Sequence, residues 1–514
     1  MHLRGGSRLG ALLAALVLGL MLGGGAQAAD DSLAALVRAK DHDGAVALLA
    51  KGADGKSREV DGTTALMWAC YNGDADLVER LLKAGADVSV VNDYGASALQ
   101  TAAVAADPRI IKDLLKAGAN PDSPNPEGQT ALMVVARTSR VDAARALLRQ
   151  GARVNTVEQW RGQTALMWAA AESQPAMVKE LVAAGADVNA RSKINNWQRQ
   201  VTAEPRAIYR PAGGLTPLLY VAREGCVECA KSLVEGGADL NLGDPEQVSP
   251  LLLAILNGHY DLAAYLIQKG ASPGKWDWYG RTPLYAAVDM NTIPRGGRPD
   301  RPSLDTTTSL QIIEQLLAAG VNPNPQLKLA PPLRNIGNDR GLDGLLTIGT
   351  TPLLRAAKAL DAPAIRLLLE KGANLNLTST RGITPVMAAA GAGSTDADTR
   401  GIYTTEDVQQ RSVESLKLLL AAGADINGKD ATRGLTALHE AARWGWNDVV
   451  RFLVDHGANL NAKDSRGMTP VDSAMGKAGG NSRGGQRIDV HADTAALLLK
   501  LTADAAARTP SPPQ

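Results

Sequence analysis

Residues 62–87 read GTTALMWACYNGDADLVERLLKAGAD, and residues 95–120 read GASALQTAAVAADPRIIKDLLKAGAN. The second stretch begins 33 residues after the first and keeps its order of small, apolar and polar residues. Gly62 and Gly95 open the two copies, and glycine at such a position favours a tight turn with positive φ. The stretch therefore predicts a repeated structural unit, whose period indicates how the rest of the chain is built.

Each copy predicts two short helices joined by a turn. Thr64 can cap the first helix by accepting a backbone N–H, Gly73 turns the chain into the second helix, and Gly85 ends that helix. The second helix carries an apolar stripe formed by Leu77, Val78, Leu81 and Leu82. A helix pair of this size cannot bury its apolar face alone, so stacking between neighbouring units must complete the core. The sequence therefore predicts a solenoid of all-α units.

The period and the opening of each unit closely resemble the ankyrin repeat, which has a 33-residue unit with a T-P-L-H-x-A signature. Residues 282–287 read TPLYAA and residues 436–441 read TALHEA, both near to that signature. The resemblance implies an ankyrin-repeat solenoid in which β-hairpins connect the helix pairs. It also implies a rigid, non-catalytic surface that binds another protein in a concave groove bordered by hairpins.

Eleven repeats are predicted between residues 61 and 503. Their openings lie at Gly62, Gly95, Gly128, Gly162, Gly214, Gly280, Gly349, Gly382, Gly434 and Gly467, with one more at Ser249-Pro250-Leu251, where Gln247 replaces the glycine. Residues 29–60 form an incomplete unit, which we interpret as an N-terminal capping repeat. Residues 504–514 end in a Pro-rich sequence and are predicted to be a disordered tail.

Departures from the regular spacing predict five long insertions, near residues 192–212, 292–308, 325–347, 394–411 and 476–487. The last of these precedes an amphipathic helix predicted over residues 493–501. By the ankyrin resemblance, insertions in the inter-repeat hairpins border the groove, whereas those between the two helices of a repeat lie on the far edge. Residues 192–212 and 325–347 are therefore the better candidates for partner binding.

The N-terminal residues 1–28 have the organisation of a secretory signal. Arg4 and Arg8 precede an apolar run, and Ala26-Gln27-Ala28 provides small residues at a cleavage site. The run is shorter than the roughly 20 residues that a bilayer span needs, so we expect no stable membrane span after cleavage. The signal and the Ala-rich composition suit a bacterial protein of the periplasm or the extracellular space.

The charge balance argues against recognition by bulk charge. Lys and Arg number 54 and Asp and Glu 53, for a net charge of +1, and no long run of one sign occurs. We therefore expect no nucleic-acid partner, because a phosphate backbone is bound through a surplus of Lys and Arg. The expected molecule is a monomer that binds a protein partner.

Cysteine and histidine positions indicate no metal or other cofactor. Cys226 and Cys229 lie at the start of a second helix, where their spacing permits a local disulfide, and Cys70 fills a slot that other repeats give to alanine. The histidines lie in different units without ligand spacing, and by resemblance His439 bonds within the turn network. No nucleophile or phosphate-binding motif occurs in a strand-turn-helix context, so we expect no enzyme.

Aromatic and arginine side chains at hairpin tips and at the ends of first helices are the candidate partner-binding residues, because these types dominate interface hot spots. They are Tyr71, Tyr94, Trp160, Arg161, Arg223, Trp276, Trp278, Tyr279, Arg443 and Trp444. Two alternatives stay open. A redox or stress-defence factor would use Cys226 and Cys229, and a binder of small ligands or glycans would use the Trp-rich hairpins.

Overall fold

A computed structural model describes residues 32–199, 208–291, 305–329, 348–392, 405–477 and 490–508. The chain packs as two compact units that divide between Glu246 and Gln247. We call them unit 1 and unit 2 and describe each by itself. The predicted signal, residues 1–28, lies outside the described residues.

Unit 1 is built from helix pairs. Its described helices are α1 Leu33–Arg38, α2 His42–Ala50, α3 Ala65–Asn72, α4 Ala75–Lys83, α5 Ala98–Ala105, α6 Pro108–Lys116, α7 Ala131–Ala136, α8 Val141–Arg149, α9 Ala165–Ala171, α10 Pro175–Ala183, α11 Pro217–Glu224 and α12 Val227–Glu235. Between α10 and α11 lie two antiparallel strands, β1 Ile194–Arg199 and β2 Ile208–Gly213, paired from Ile194↔Gly213 to Arg199↔Ile208.

Unit 2 repeats the same architecture. Its described helices are α13 Pro250–Asn257, α14 Tyr260–Gln268, α15 Pro283–Asn291, α16 Ser309–Ala318, α17 Pro352–Lys358, α18 Ala362–Glu370, α19 Pro385–Ala389, α20 Thr405–Ala421, α21 Ala437–Arg443, α22 Asn447–Asp455, α23 Pro470–Ala474 and α24 Ala492–Arg508. In both units, first helices pack on first helices and second helices on second helices of the neighbouring repeats. The ankyrin-repeat architecture predicted from the period is confirmed.

The caps that define a repeat form as the sequence predicts. Thr64 Oγ1 accepts a hydrogen bond from Met67 N at 3.1 Å and begins α3. Gly73 ends α3 in the left-handed conformation, with φ of 73°. The Asp74 carboxylate then accepts from Leu77 N at 3.0 Å and begins α4. Two short helices therefore start and stop within one 33-residue period because each end has its own satisfied cap.

The core of a repeat is narrower than the predicted stripe. Leu77, Val78 and Leu81 of α4 are buried, with Leu81 fully inaccessible. Leu82 is only half-buried, so its inclusion in the inward stripe was wrong. Successive residues on a helix differ by about 100° in direction, and Leu82 points to the edge of the face that Leu81 buries.

Hairpins of successive repeats are joined through the backbone. Asp93 N donates to Asp61 O at 2.9 Å, and Gln159 N donates to Glu127 O at 3.0 Å. Glycine suits position 62, where two hairpins meet, because its φ is +79° and a Cβ there would lie a tight 3.3 Å from the Cα of the facing Asn92. These bonds hold the hairpin tips of a unit in a fixed row.

The predicted repeat without an opening glycine has the same first-helix cap as its neighbours. Ser249 Oγ accepts from Leu252 N at 3.2 Å, and α13 begins at Pro250. Gln247 adopts a φ of 64°, the conformation that Gly62 and Gly95 have at the openings of their repeats. Gln247 therefore takes the place of the glycine with the same backbone geometry.

Parts of the predicted insertions have regular structure. The β1–β2 pair begins within the predicted segment 192–212 and ends one residue beyond it, at Gly213, and α20 begins at Thr405, inside the predicted segment 394–411. The final helix, α24, runs from Ala492 to Arg508, and so continues through residues 504–508, which were predicted to belong to a disordered tail. Other parts of the insertions lie outside the described residues, namely 200–207, 292–304, 330–347, 393–404 and 478–489.

Candidate functional site

The last turns of the first helices in unit 1 align equivalent residues in rows. Trp68, Thr101, Val134, Trp168 and Tyr220 each lie four residues after the capping Thr or Ser of their helix, and Tyr71, Val104, Arg137, Ala171 and Arg223 lie seven after it. The helices α3, α5, α7, α9 and α11 pack side by side in that order. The rows therefore run across the repeats, and we call the surface that they form the inner face of unit 1.

Two arginines of the inner face lie over aromatic rings. The guanidinium carbon of Arg137 is 5.1 Å from the ring centroid of Trp168, and that of Arg223 is 5.1 Å from the ring centroid of Tyr220. In such a cation–π contact, the positive guanidinium group is attracted to the electron-rich face of the aromatic ring.

A carboxylate holds each of these arginines in place. Arg137 Nη2 donates to Glu172 Oε1 at 3.1 Å, and Arg223 Nε donates to Glu224 Oε1 at 2.7 Å. Each guanidinium group thus has a ring and a carboxylate as neighbours, which favours this conformation over others in the free protein.

The indole N–H of Trp168 is a donor without an acceptor. Trp168 Nε1 is shielded from solvent and has no hydrogen-bond partner among the described residues. Because this atom is shielded, it is not a contact point for a molecule that binds on the surface. Neither this donor nor Glu172 was among the residues selected from the sequence, although aligning the repeats at equal offset from the capping Thr places Trp168 in the same row as Trp68 and Tyr220.

Trp68 and Tyr71 contribute mainly to packing at the N-terminal end of the inner face. Trp68 is 8% exposed, and its Nε1 donates to Glu59 Oε2 at 3.1 Å. Tyr71 is half-buried, with its ring edge-on to Trp68 at a centroid distance of 6.0 Å. The Tyr71 ring is thus partly available at the surface, whereas Trp68 packs inside.

Tyr94, Trp160 and Arg161 lie exposed on hairpin tips of unit 1. Trp160 is 68% exposed and Tyr94 50%, which are high values for aromatic side chains. The buried carboxylate of Glu158 accepts hydrogen bonds from the backbone N–H of Trp160 at 2.7 Å and of Arg161 at 2.8 Å. The Trp160 ring is therefore presented to solvent by a turn that is itself well fixed.

The aromatic cluster before α15 divides into a buried and an exposed part. Tyr279 is 5% exposed, so its assignment as a partner-binding residue is corrected. Its carbonyl oxygen accepts from Lys328 N at 2.8 Å, and its ring contacts the guanidinium of Arg281, which pairs with the buried Asp277 at 2.7 Å. Tyr279 therefore joins its hairpin to the following one.

Trp276 and Trp278 remain on the surface of unit 2. Trp278 is 63% exposed. Trp276 is 50% exposed and carries the ammonium group of Lys328 at 3.3 Å from its ring centroid. Trp278 is the more exposed of the two, and no cation lies over its ring among the residues that the structure describes, so it is the stronger candidate.

Arg443 and Trp444 also differ in their surroundings. Arg443 is exposed and lies 3.5 Å from the carboxylate of Glu440. Trp444 is partly buried, because its Nε1 donates to Gly391 O at 2.9 Å and its ring stacks on Trp446 at 6.2 Å. Trp444 is therefore in large part a contact between repeats, which its position at the end of a first helix did not reveal.

Cys226 and Cys229 form a disulfide, the local bridge that their spacing permits. Cys70 is buried as predicted, and burial raises the pKa of its thiol. Within the described ranges, no group of three His, Cys, Asp or Glu residues is placed to hold a metal ion. In the same ranges, no helix has both the length and the apolar character that crossing a bilayer requires.

Comparison with known proteins identifies ankyrin repeats over most of the chain. The profile of the family described as Ankyrin repeats (3 copies) matches residues 32–125, 99–192, 202–277, 218–295 and 407–508, which together are more than half of the chain.

Several curated proteins and solved structures are similar to parts of the chain. The E3 ubiquitin-protein ligase KEG of Arabidopsis thaliana is 26% identical over 324 residues, which are 57% of this chain and 18% of KEG. The B-cell lymphoma 3 protein homolog of Mus musculus is 30% identical over 261 residues, 49% of this chain and 47% of that protein. The chain thus spans less than half the length of each. The crystal structure of the human ASB11 ankyrin repeat domain aligns with 47% of this chain and 98% of its own, at 21% identity and a TM-score of 0.39.

Proposed function

The chain belongs to the ankyrin-repeat family, and from that premise we propose that it is an exported, non-catalytic scaffold that binds a protein partner through the inner face and hairpin tips of unit 1. Ankyrin repeats typically mediate protein–protein interaction, and the fold is generally non-enzymatic. Beyond this general property, we propose the binding surface, the compartment and the contacting residues.

The observation that carries the proposal is the position of the large aromatic and arginine side chains. Trp160 and Tyr94 are exposed on fixed hairpins, and Arg223 is exposed on the last turn of α11. Exposed aromatic rings on a rigid support lose little conformational entropy on binding, and together with Arg they supply most of the binding free energy in protein interfaces. All three lie in unit 1, and we take them as parts of one contact surface.

Export is proposed from residues 1–28, whose Arg residues, apolar run and small-residue site form a secretory signal. Cell fractionation followed by N-terminal sequencing tests it. We expect the extracytoplasmic protein to begin after Ala28, and an intact N-terminus in cytosolic protein would contradict export.

Site-specific photo-cross-linking in the native compartment tests the scaffold function. A photoreactive phenylalanine analogue at position 160 should cross-link a defined protein that mass spectrometry can identify. The matched control places the analogue at position 116, since Lys116 is 74% exposed on the second helix α6, away from the inner face. Equal cross-linking of the same proteins from both positions, or none from position 160, would overturn the proposal.

A further inference from the structure

Cys226 and Cys229 form a disulfide at the first turn of α12 that the scaffold function does not use. The cross-linked loop contains only the two residues between the cysteines. In the chain-entropy account, the stabilisation that a disulfide gives increases with the logarithm of the number of residues in the loop that it closes. A bridge across so short a loop therefore stabilises the fold little. Stability alone does not explain why the two cysteines are present.

The two sulfur atoms have different surroundings. Cys229 is fully buried in the core face of α12, together with Ala230 and Leu233. Cys226 is half-buried, immediately after Gly225 at the turn between α11 and α12. An external thiol can therefore approach Cys226 and not Cys229, which gives the pair one attackable sulfur and one shielded leaving group.

Cys226 also occupies a position where other repeats hold a carboxylate. Asp74, Asp107 and Asp361 are the N-cap residues of their second helices, and each accepts hydrogen bonds from backbone N–H groups of the first turn. In α12 the Sγ of Cys226 accepts from Cys229 N at 3.2 Å. Sulfur in a disulfide is a poor acceptor, whereas a thiolate would carry the negative charge that this helix end favours.

Reduction would thus place a thiolate where the fold elsewhere places a carboxylate. The neighbouring carboxylates do not oppose this, because Glu224 pairs with Arg223 at 2.7 Å and Glu228 pairs with Lys231 at 2.6 Å. Stabilisation of the reduced form by a helix N-terminus makes a disulfide a stronger oxidant. The pair is therefore arranged to accept electrons from other thiols.

We propose that Cys226 and Cys229 form a thiol–disulfide exchange site that oxidises the thiols of a polypeptide or of a small-molecule thiol. A thiolate of the substrate attacks Cys226 Sγ, a mixed disulfide forms, and the Cys226–Cys229 bond breaks to release Cys229, which takes up a proton. A second substrate thiolate then attacks the substrate sulfur of the mixed disulfide. The substrate leaves as a disulfide, oxidised by two electrons, and the protein keeps the dithiol.

The test compares Cys229→Ser with Cys226→Ser in the full chain, both in a Cys70→Ala background. Alanine suits position 70 because Ala103 and Ala136 hold the equivalent slot in neighbouring repeats. With oxidised glutathione as the probe, Cys229→Ser leaves the accessible Cys226 and should form a mixed disulfide at least tenfold faster than Cys226→Ser. Comparable rates, or no adduct on Cys226, would overturn the proposal.

A second measurement uses the chain with both cysteines intact, so that failure of a variant to fold cannot decide the matter. The oxidised protein is mixed with reduced glutathione in one arm and with a reduced synthetic peptide carrying two cysteines in the other. Loss of substrate thiols matched by gain of protein thiols in either arm supports the site, and the reactive arm identifies the thiol source. A disulfide that stays oxidised in both arms while the protein remains folded would show that the bridge is structural only.

Discussion

At the scale of the residue, different side chains at equivalent positions of the repeats bond the equivalent backbone carbonyl of the next hairpin. Gln100 Nε2 donates to Gln129 O at 2.9 Å, a residue of the next hairpin. His439 occupies the same position of its own repeat, where its Nε2 lies 3.1 Å from Met468 O and its Nδ1 2.8 Å from Thr436 Oγ1. The bonding of His439 within its turn follows the prediction from the family resemblance.

The buried His439 makes stability depend on pH. Burial lowers its pKa below the ordinary value, so the unfolded chain binds the proton more readily than the folded chain. The stability contribution is complete above the unfolded pKa of about 6.5 and is lost as the pH falls below it. The melting temperature of wild-type protein should therefore drop between pH 7.5 and pH 5.5.

His439→Gln is the matched variant, because Gln100 already satisfies the same carbonyl position elsewhere in the chain. It should keep the melting temperature at pH 7.5 and show a smaller drop at pH 5.5 than wild type. His42 has the opposite effect on the pH dependence of stability, because its hydrogen bond to Asp74 raises its pKa. It is present in both proteins, so its effect cancels in the comparison. Equal pH dependence of the two proteins would show that His439 is not the group responsible.

Gln247 offers a second test at this scale. Its φ of 64° is unfavourable for a side chain with a Cβ, and the side chain itself is exposed. Gln247→Gly should stabilise the protein by about 1 kcal/mol, after allowing for the larger entropy of glycine in the unfolded chain. Gln247→Ala retains the Cβ and serves as the control, so a melting temperature raised as much by alanine as by glycine would contradict the assigned backbone strain.

At the scale of the element, the repeat period predicts where helices begin and end better than which residues they bury. The capping Thr and Ser residues fix the first residue of each first helix, as Thr64 does for α3 and Ser249 for α13. The direction of a side chain depends on the neighbouring repeats, which a single unit does not contain. This is why Leu82 was placed in the core and why α24 is longer than its apolar pattern predicts.

Adjacent leucines of α4 test the observed core face. Leu81→Ala should lower the free energy of unfolding by about 2–5 kcal/mol, because Leu81 is fully buried between repeats. Leu82→Ala should cost roughly 1 kcal/mol, because its side chain keeps contact with solvent. Chemical denaturation, with hydrogen exchange of the α4 amides as the local readout, measures both. Equal losses in the two variants would mean that the face is assigned in the wrong register.

At the scale of the molecule, the family and the repeat architecture are predictable from the period. The solvent exposure of individual side chains is not. Trp160, Trp278 and Tyr279 have similar positions before an opening Gly, yet only Tyr279 is buried. The difference arises because the hairpin containing Lys328 covers Tyr279, and that hairpin belongs to an irregular repeat. Insertions break the period on which prediction from the sequence depends.

The compartment and the partner belong to the same scale, and they remain proposals based on residues 1–28 and on the inner face of unit 1. Both depend on molecules outside the chain, whereas the repeat period reflects only packing within the chain. The contact surface can nonetheless be tested without further assumptions about the rest of the molecule.

The most direct measurement is the affinity of the partner cross-linked from position 160 for two double variants of the full chain. Trp160→Ala with Arg223→Ala removes an exposed ring and an exposed guanidinium from the proposed surface. Lys83→Ala with Lys116→Ala, both on second helices and more than 70% exposed, is the control. We predict at least tenfold weaker binding for the first variant, about 1.4 kcal/mol, with little change in melting temperature. Unchanged affinity for that variant, or an equal loss in the lysine control, would contradict binding through the inner face and hairpin tips.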